Sequence, residues 1–319
     1  MQDLHLLPKV RDSLSFLYIE HARIEQEAKA IAIHDARGRV PVPCASLSML
    51  LLGPGTTITH AAIRALAENG CLVSWTGQEG VRFYAQGMGE TRSARNLLRQ
   101  TRLWASPARR LRVVRRLYEI RFPEGLEEDL TLRQIRGKEG IRVREAYARA
   151  SRESGVPWQG RTYNRGRWAD ADPVNRALSS ANSCLYGICQ AAIVSAGFST
   201  ALGFIHTGKQ LSFVYDIADL YKADLAIPTA FAAAAAGTAD LERRVRLQCR
   251  DAFHHGRLLE RIIPDIERAL AAGGAVDETT DGDFDVDRAL PGGLWEPGDR
   301  EVAGGVNWAD HQGGDEAWS

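Results

Sequence analysis

The amino-acid sequence predicts an α+β protein with three consecutive parts. A small β-rich N-terminal domain spans 1–88, a larger all-α domain spans 89–273, and an acidic tail spans 274–319. Three observations predict this order. Short runs of β-forming residues alternate with turn residues as far as Gly87. Helical patterning then holds from Ser93 almost to residue 271. After Gly273 periodicity is lost, and glycine alternates with acid. A length of 319 residues suits two domains better than one.

The strands read in order. Leu14 to Ile19 is rich in β formers. Ala30 to His34 and Arg39 to Val42 flank Asp35-Ala36-Arg37-Gly38, a hairpin-like turn. Ser46 to Leu52 is an apolar run stopped by Gly53-Pro54-Gly55. Thr59 is placed to cap a short helix from His60 to Glu68, ended by Asn69-Gly70. Cys71 to Trp75 and Val81 to Ala85 complete the β-rich part. In the helical part, Asp172-Pro173 forms an N-cap and first-turn pair. It opens a helix that shows Val174, Ala177, Leu178, Ala181, Leu185, Ile188 and Ala192 on one face and closes at Gly197. Asp240 begins another helix through about His255, and Pro264 opens a short final one. The tail composition predicts disorder, apart from isolated Leu290, Leu294, Trp295, Val302, Val306 and Trp308, which suit anchors onto a partner.

The neutral net charge hides an asymmetry. Residues 277–319 hold twelve acidic residues and two arginines, so 1–276 holds 38 basic and 28 acidic residues. A basic body suits a polyanionic partner, although a solvated surface often carries such an excess. The five cysteines include no C-x-x-C pair, and they predict buried thiols in a reducing cytoplasm. No uninterrupted apolar stretch reaches membrane-helix length, and Met1 to Asp12 lacks the apolar core of a secretory signal.

Four places concentrate chemistry. In Ile135-Arg136-Gly137-Lys138-Glu139-Gly140, one carboxylate lies between two glycines inside a helical pattern. Glycine there is unfavourable, so the pattern suggests that something approaches the backbone closely, or else a helix kink or tight helix packing. Gly203 to Gln210 nearly matches a phosphate-binding loop, but Gln210 replaces the metal-binding hydroxyl. His206, set among glycines and Lys209, instead suits an anionic substrate. In Phe213 to Lys222, a helix puts Asp216 and Asp219 on one face of an apolar segment. A divalent cation offsets the repulsion of such a pair; an N-cap beside a surface acid also accounts for it. Mg²⁺ and Mn²⁺ both suit oxygen ligands, and Mn²⁺ tolerates imidazole. Finally, Trp158 to Trp168 interleaves Arg161, Arg165 and Arg167 with Tyr163 and Trp168. Arginines neutralise phosphates and aromatic faces stack unpaired bases. The alternative is a solvated basic loop. Arg136, Lys209, Lys222, Arg246 and Arg250 are further phosphate-binding candidates.

These blocks, in this order, together with Arg161-Thr162-Tyr163 and Ser183-Cys184-Leu185-Tyr186-Gly187, resemble the CRISPR-associated spacer integrases, and most closely their type I-E branch. The resemblance runs from about residue 8 to 271. It implies a β-sandwich-like N-terminal domain, a helical catalytic domain, a homodimer, and a small ferredoxin-like adaptation protein bridging two dimers. It implies catalytic roles for Glu139, His206, Asp216 and Asp219, with Glu139, His206 and Asp219 as ligands of Mg²⁺ or Mn²⁺. It places Tyr163 near the reactive DNA end and makes the adaptation protein a candidate partner for the tail anchors Trp295 and Trp308. Relatives wedge duplex ends with a tyrosine, where this chain offers Tyr18 or His21. The implied reaction is insertion of short captured DNA into a CRISPR repeat by 3′-hydroxyl transesterification. Alternatives are a metal-dependent repair nuclease that does not integrate, and a DNA-binding scaffold whose acids are structural.

Overall fold

The computed structural model describes residues 16–47, 49–77, 83–87, 94–161, 172–275, 294–296 and 300–302. It shows the expected α+β order. The N-terminal strands are β1 (Phe16–Ile19), β2 (Arg23–Glu27), β3 (Ala30–Asp35), β4 (Gly38–Pro43), β5 (Met49–Leu52), β6 (Thr57–Ile58), β7 (Leu72–Thr76) and β8 (Phe83–Gly87), with α1 (His60–Glu68) before β7. They form two four-stranded sheets, ordered β1-β5-β7-β8 and β4-β3-β2-β6. The hairpin at Asp35–Gly38 forms as expected between β3 and β4, with Asp35 opposite Gly38.

β5 explains why its sequence is apolar without alternation. All four residues of Met49–Leu52 are buried. Successive side chains of a strand point to opposite faces. Leu50 and Leu52 join Ile24, Ile31 and Leu66 in the N-terminal core, whereas Met49 and Leu51 join the helical core. One sheet is thus covered on both faces, and the helical part docks directly on it.

The helices are α2 (Arg95–Ala105), α3 (Pro107–Glu119), α4 (Leu132–Ser154), α5 (Pro173–Ser195), α6 (Ser212–Ala218), α7 (Ile227–Ala235), α8 (Leu241–His255) and α9 (Leu258–Ala271). A π-helical turn, Lys222–Ala226, joins α6 to α7. α5 starts where expected: the Asp172 side chain accepts the Asn175 backbone N–H, and Pro173 follows. It is long and apolar enough to cross a bilayer, but most of it is buried in the protein core. Capping at both ends fixes α4, with a Thr131–Gln134 capping box and Gly155 at φ 70°.

Two expectations change, and one strand lies where none was expected. Pro264 does not open the last helix; it lies inside α9, which begins two turns earlier. The buried stripe Leu258, Leu259, Ile262, Ile266 and Leu270 holds the helix together across the proline. β2 carries charge at most positions and buries Ile24 alone, yet it sits between β3 and β6. Within the tail, expected to lack regular structure, β9 (Leu294–Glu296) pairs antiparallel with β10 (Arg300–Val302). The sequence between them, Pro297-Gly298-Asp299, is rich in turn-forming residues. All five cysteines are buried free thiols, as expected.

Candidate active site

The loop before α6 is built around one carboxylate. Asp216 is fully buried, and its oxygens accept the backbone N–H groups of Phe204 (2.6 Å), Ile205 (3.1 Å) and His206 (2.9 Å). A charge taken out of water needs such donors. Asp216 also holds the His206 ring through Nδ1 at 2.8 Å. The loop is clamped from behind as well. Trp104 donates to the Gly203 carbonyl, Arg110 donates to the Gly203 and Phe204 carbonyls, and Gln100 donates to Ser199 and Leu202. Gly203 is required: a Cβ there would stand 2.3 Å from the His206 carbonyl oxygen.

This clamp leaves His206 Nε2 pointing at Asp219, whose Oδ2 lies 3.9 Å away. The His206 side chain is 42% exposed, so the ring is open to a ligand. Asp219 follows α6 by one residue, and the π-helical turn begins just beyond it. Asp216 and Asp219 therefore have different surroundings despite their i, i+3 spacing: one is internal, the other faces the cavity.

α4 brings Glu139 to the same place. Glu139, His206 and Asp219 line one cavity of about 320 Å³, together with Arg121, Arg142 and Lys222. The cations hold the acids. Arg121 Nη1 lies 3.2 Å from Glu139 Oε1 and 3.7 Å from Asp219 Oδ2. Arg142 Nη1 lies 3.6 Å from Glu139 Oε1. Lys222 pairs with Asp219, and its ammonium stands over the Tyr186 ring. Burial pulls the Lys222 ammonium down, but the Asp219 charge and the hydrogen bonds the ammonium donates to Asp219 and Tyr186 leave it above its ordinary value. Among the described residues, no three His, Cys, Asp or Glu side chains stand together as a ready metal cluster. The donors nevertheless fit a hard dication. Two carboxylates and an imidazole nitrogen share one cavity, and Glu139 Oε2 is buried without a hydrogen-bond partner.

The sequence alone does not single out Arg121. It is almost fully buried just past the end of α3, with its guanidinium over the Tyr118 ring and Nη2 donating to the Asp216 carbonyl. Its one sequence signal is a lone cation between Ile120 and Phe122. The glycines around Glu139 do not serve tight helix packing. A Cβ at Gly137 or Gly140 would meet no protein atom within 4 Å, so close packing within the chain does not require them.

The phosphate-binding candidates divide. Arg136 and Lys209 are exposed. Arg161 is exposed but donates to the Asn175 carbonyl, its Oδ1 and the Ser179 hydroxyl, which ties it to the start of α5. Lys222 belongs to the carboxylate cluster. Arg246 and Arg250 lie one turn apart on α8, and Arg250 pairs with Asp251. Tyr163, Arg165, Arg167, Trp168 and Trp308 lie outside the described residues, and Trp295 falls on β9. At the end of β1, Tyr18 is half-buried with its hydroxyl on Glu20, whereas His21 is exposed at φ 51°.

A family model described as "CRISPR associated protein Cas1" matches residues 16–124 and 119–249, and so takes in both the sheets and this cavity. The chain belongs to the Cas1 family. It is 57% identical over 316 residues to CRISPR-associated endonuclease Cas1 2 of Thermus thermophilus, covering 99% of this chain and 96% of that one. It is 42% identical over 265 residues to CRISPR-associated endonuclease Cas1 of Escherichia coli, covering 83% of this chain and 87% of that one. Among solved structures, the TtCas1–DNA complex superposes with a TM-score of 0.76 at 61% identity, covering 83% of this chain and 99% of that chain. The casposase bound to integration product shares only the fold, at 16% identity, 81% of this chain, 95% of that chain and a TM-score of 0.50.

Proposed function

We propose that this Cas1 chain is a metal-dependent DNA integrase and endonuclease of the type I-E branch, inserting short captured DNA into a CRISPR repeat in the cytoplasm. One observation carries the reading: Glu139, His206 and Asp219, which come from separate elements, converge on one cavity, with His206 oriented by a buried carboxylate. The DNA in the complex of the 61%-identical relative supports DNA as substrate.

Glu139, His206 and Asp219 would hold Mg²⁺ or Mn²⁺. When bound, the ion supplies positive charge to the phosphate under attack. The residues of the chain do the rest. Asp216 acts through His206: it keeps Nδ1 engaged and leaves Nε2 for the cavity. Lys222 and Arg142 add positive charge at the cavity wall, which favours a phosphodiester. The open space over Gly140, the residue next to Glu139, leaves room for a DNA backbone. In the reaction a 3′-hydroxyl oxygen forms a bond to phosphorus, and the bond to the strand's own 3′-oxygen breaks. Water in place of that hydroxyl makes the same site a nuclease.

Arg136, Lys209, Arg161, the Tyr163–Trp168 loop, Arg246 and Arg250 are the proposed DNA contacts. His21, exposed at a turn, suits the duplex end better than the half-buried Tyr18. The proposed assembly is a homodimer bridged to a second dimer by a small ferredoxin-like adaptation protein, with Trp295 and Trp308 as tail anchors on it.

The test is joining of a short duplex to a plasmid carrying the repeat, with and without the adaptation protein. A 3′-hydroxyl end should join and a 3′-deoxy end should not. Cleavage without joining under all these conditions would leave a nuclease and overturn integration.

A further inference from the structure

The cavity carries its own cations before any ion enters it. Glu139 and Asp219 face Arg121, Arg142 and Lys222, so leaving the imidazole aside the lining has no excess of negative charge. Arg121 is the centre of this arrangement, because one nitrogen serves both Glu139 and Asp219.

A structural ion pair kept for stability should have its polar atoms satisfied. This pair does not. Arg121 Nε is buried without an acceptor, and Glu139 Oε2 is buried without a donor. Both orphans sit on the two partners of a single contact, and both residues line the cavity. Arginine suits such a post, since its charge persists in a dry setting where a lysine's need not.

We propose that Arg121 and Lys222 are built-in counter-ions that hold the free site against divalent-cation loading and couple cation entry to the arrival of a phosphodiester. This rests on the metal reading above. A dication entering this cavity adds two positive charges to a lining with no excess of negative charge, and repulsion from the buried guanidinium weakens binding. A phosphodiester brings the missing negative charge, so cation and DNA each strengthen the other's binding, as linkage requires. The device limits unprogrammed cutting by a site that holds metal without its proper DNA.

The experiment measures Mn²⁺ binding to the full chain by electron paramagnetic resonance, with and without a short duplex bearing 3′-hydroxyl overhangs, subtracting binding to the DNA alone. The wild type should bind Mn²⁺ weakly alone and about tenfold or more tightly with DNA. Arg121→Gln should bind Mn²⁺ about tenfold more tightly without DNA, with a smaller further gain from DNA. Arg121→Lys should fall between wild type and Arg121→Gln, because a buried lysine gives up its charge more readily than a guanidinium. Unchanged or weaker Mn²⁺ binding by folded Arg121→Gln overturns the inference while leaving the metal site standing. If circular dichroism shows that Arg121→Gln does not fold, Lys222→Gln decides by the same criterion. A wild type that binds no Mn²⁺ even with DNA overturns the metal reading itself, and the inference with it.

Discussion

His206 Nδ1 lies 2.8 Å from an Asp216 oxygen, and the same carboxylate accepts the backbone N–H groups of Phe204, Ile205 and His206. One buried acid thus fixes both the loop and the ring it presents. Removing it unpairs several buried donors at once.

Asp216→Ala should therefore destabilise the fold by about 3–5 kcal/mol, since several buried donors lose their acceptor together and each costs about 1–3 kcal/mol. Glu139→Ala should cost far less, because Arg121 keeps Asp219 as a partner. Urea denaturation of both variants checks this. Equal losses would mean that Asp216 is no more structural than Glu139.

Gly140→Ala should split stability from activity. Replacing glycine by alanine in a helix interior gains about 1 kcal/mol, and here the new Cβ meets no protein atom. Thermal melting should rise while DNA joining falls, because the methyl group enters the space assigned to the DNA backbone. Gly203→Ala should lose both, because its Cβ collides with the His206 carbonyl. Unchanged joining by Gly140→Ala would remove the glycine from the DNA path.

The cysteines should be silent in the native state. All five are buried. The hydrogen bond from Cys184 and burial both push the Cys249 thiol up, and burial does the same to Cys44 and Cys189. Thiolate is the reactive form, so a disulfide reagent at neutral pH should find less than one thiol in native protein and five in guanidinium. Rapid native reaction of one thiol would show that its surroundings open.

Much of this was legible in sequence because local signals agreed with the fold. Thr59, Asp172-Pro173 and the turn before Gly38 acted as their chemistry requires. What stayed hidden depends on tertiary partners. β2 reads as a charged segment because only Ile24 turns inward, and its pairing with β3 and β6 is a property of the sheet. Pro264 looked like a helix start because the stripe that carries α9 through it shows its worth only when packed. Spacing put Asp216 and Asp219 on one helical face, but it could not separate a wholly internal acid from its neighbour at the cavity. Arg121 left almost no trace, since burial of a lone arginine follows from its carboxylate partners on α4 and beyond α6.

The central claim is that Glu139, His206 and Asp219 act together through a divalent ion on DNA. Strand transfer into a repeat-bearing plasmid, run in Mg²⁺ or Mn²⁺ and in EDTA, tests it most directly. Glu139→Ala, His206→Ala and Asp219→Ala should each lose joining by at least about a hundredfold while still retaining DNA on a gel, because these groups act on the transition state more than on phosphate attraction. EDTA should match them on wild-type protein. Full joining in EDTA, or by any of the three variants, would contradict the account.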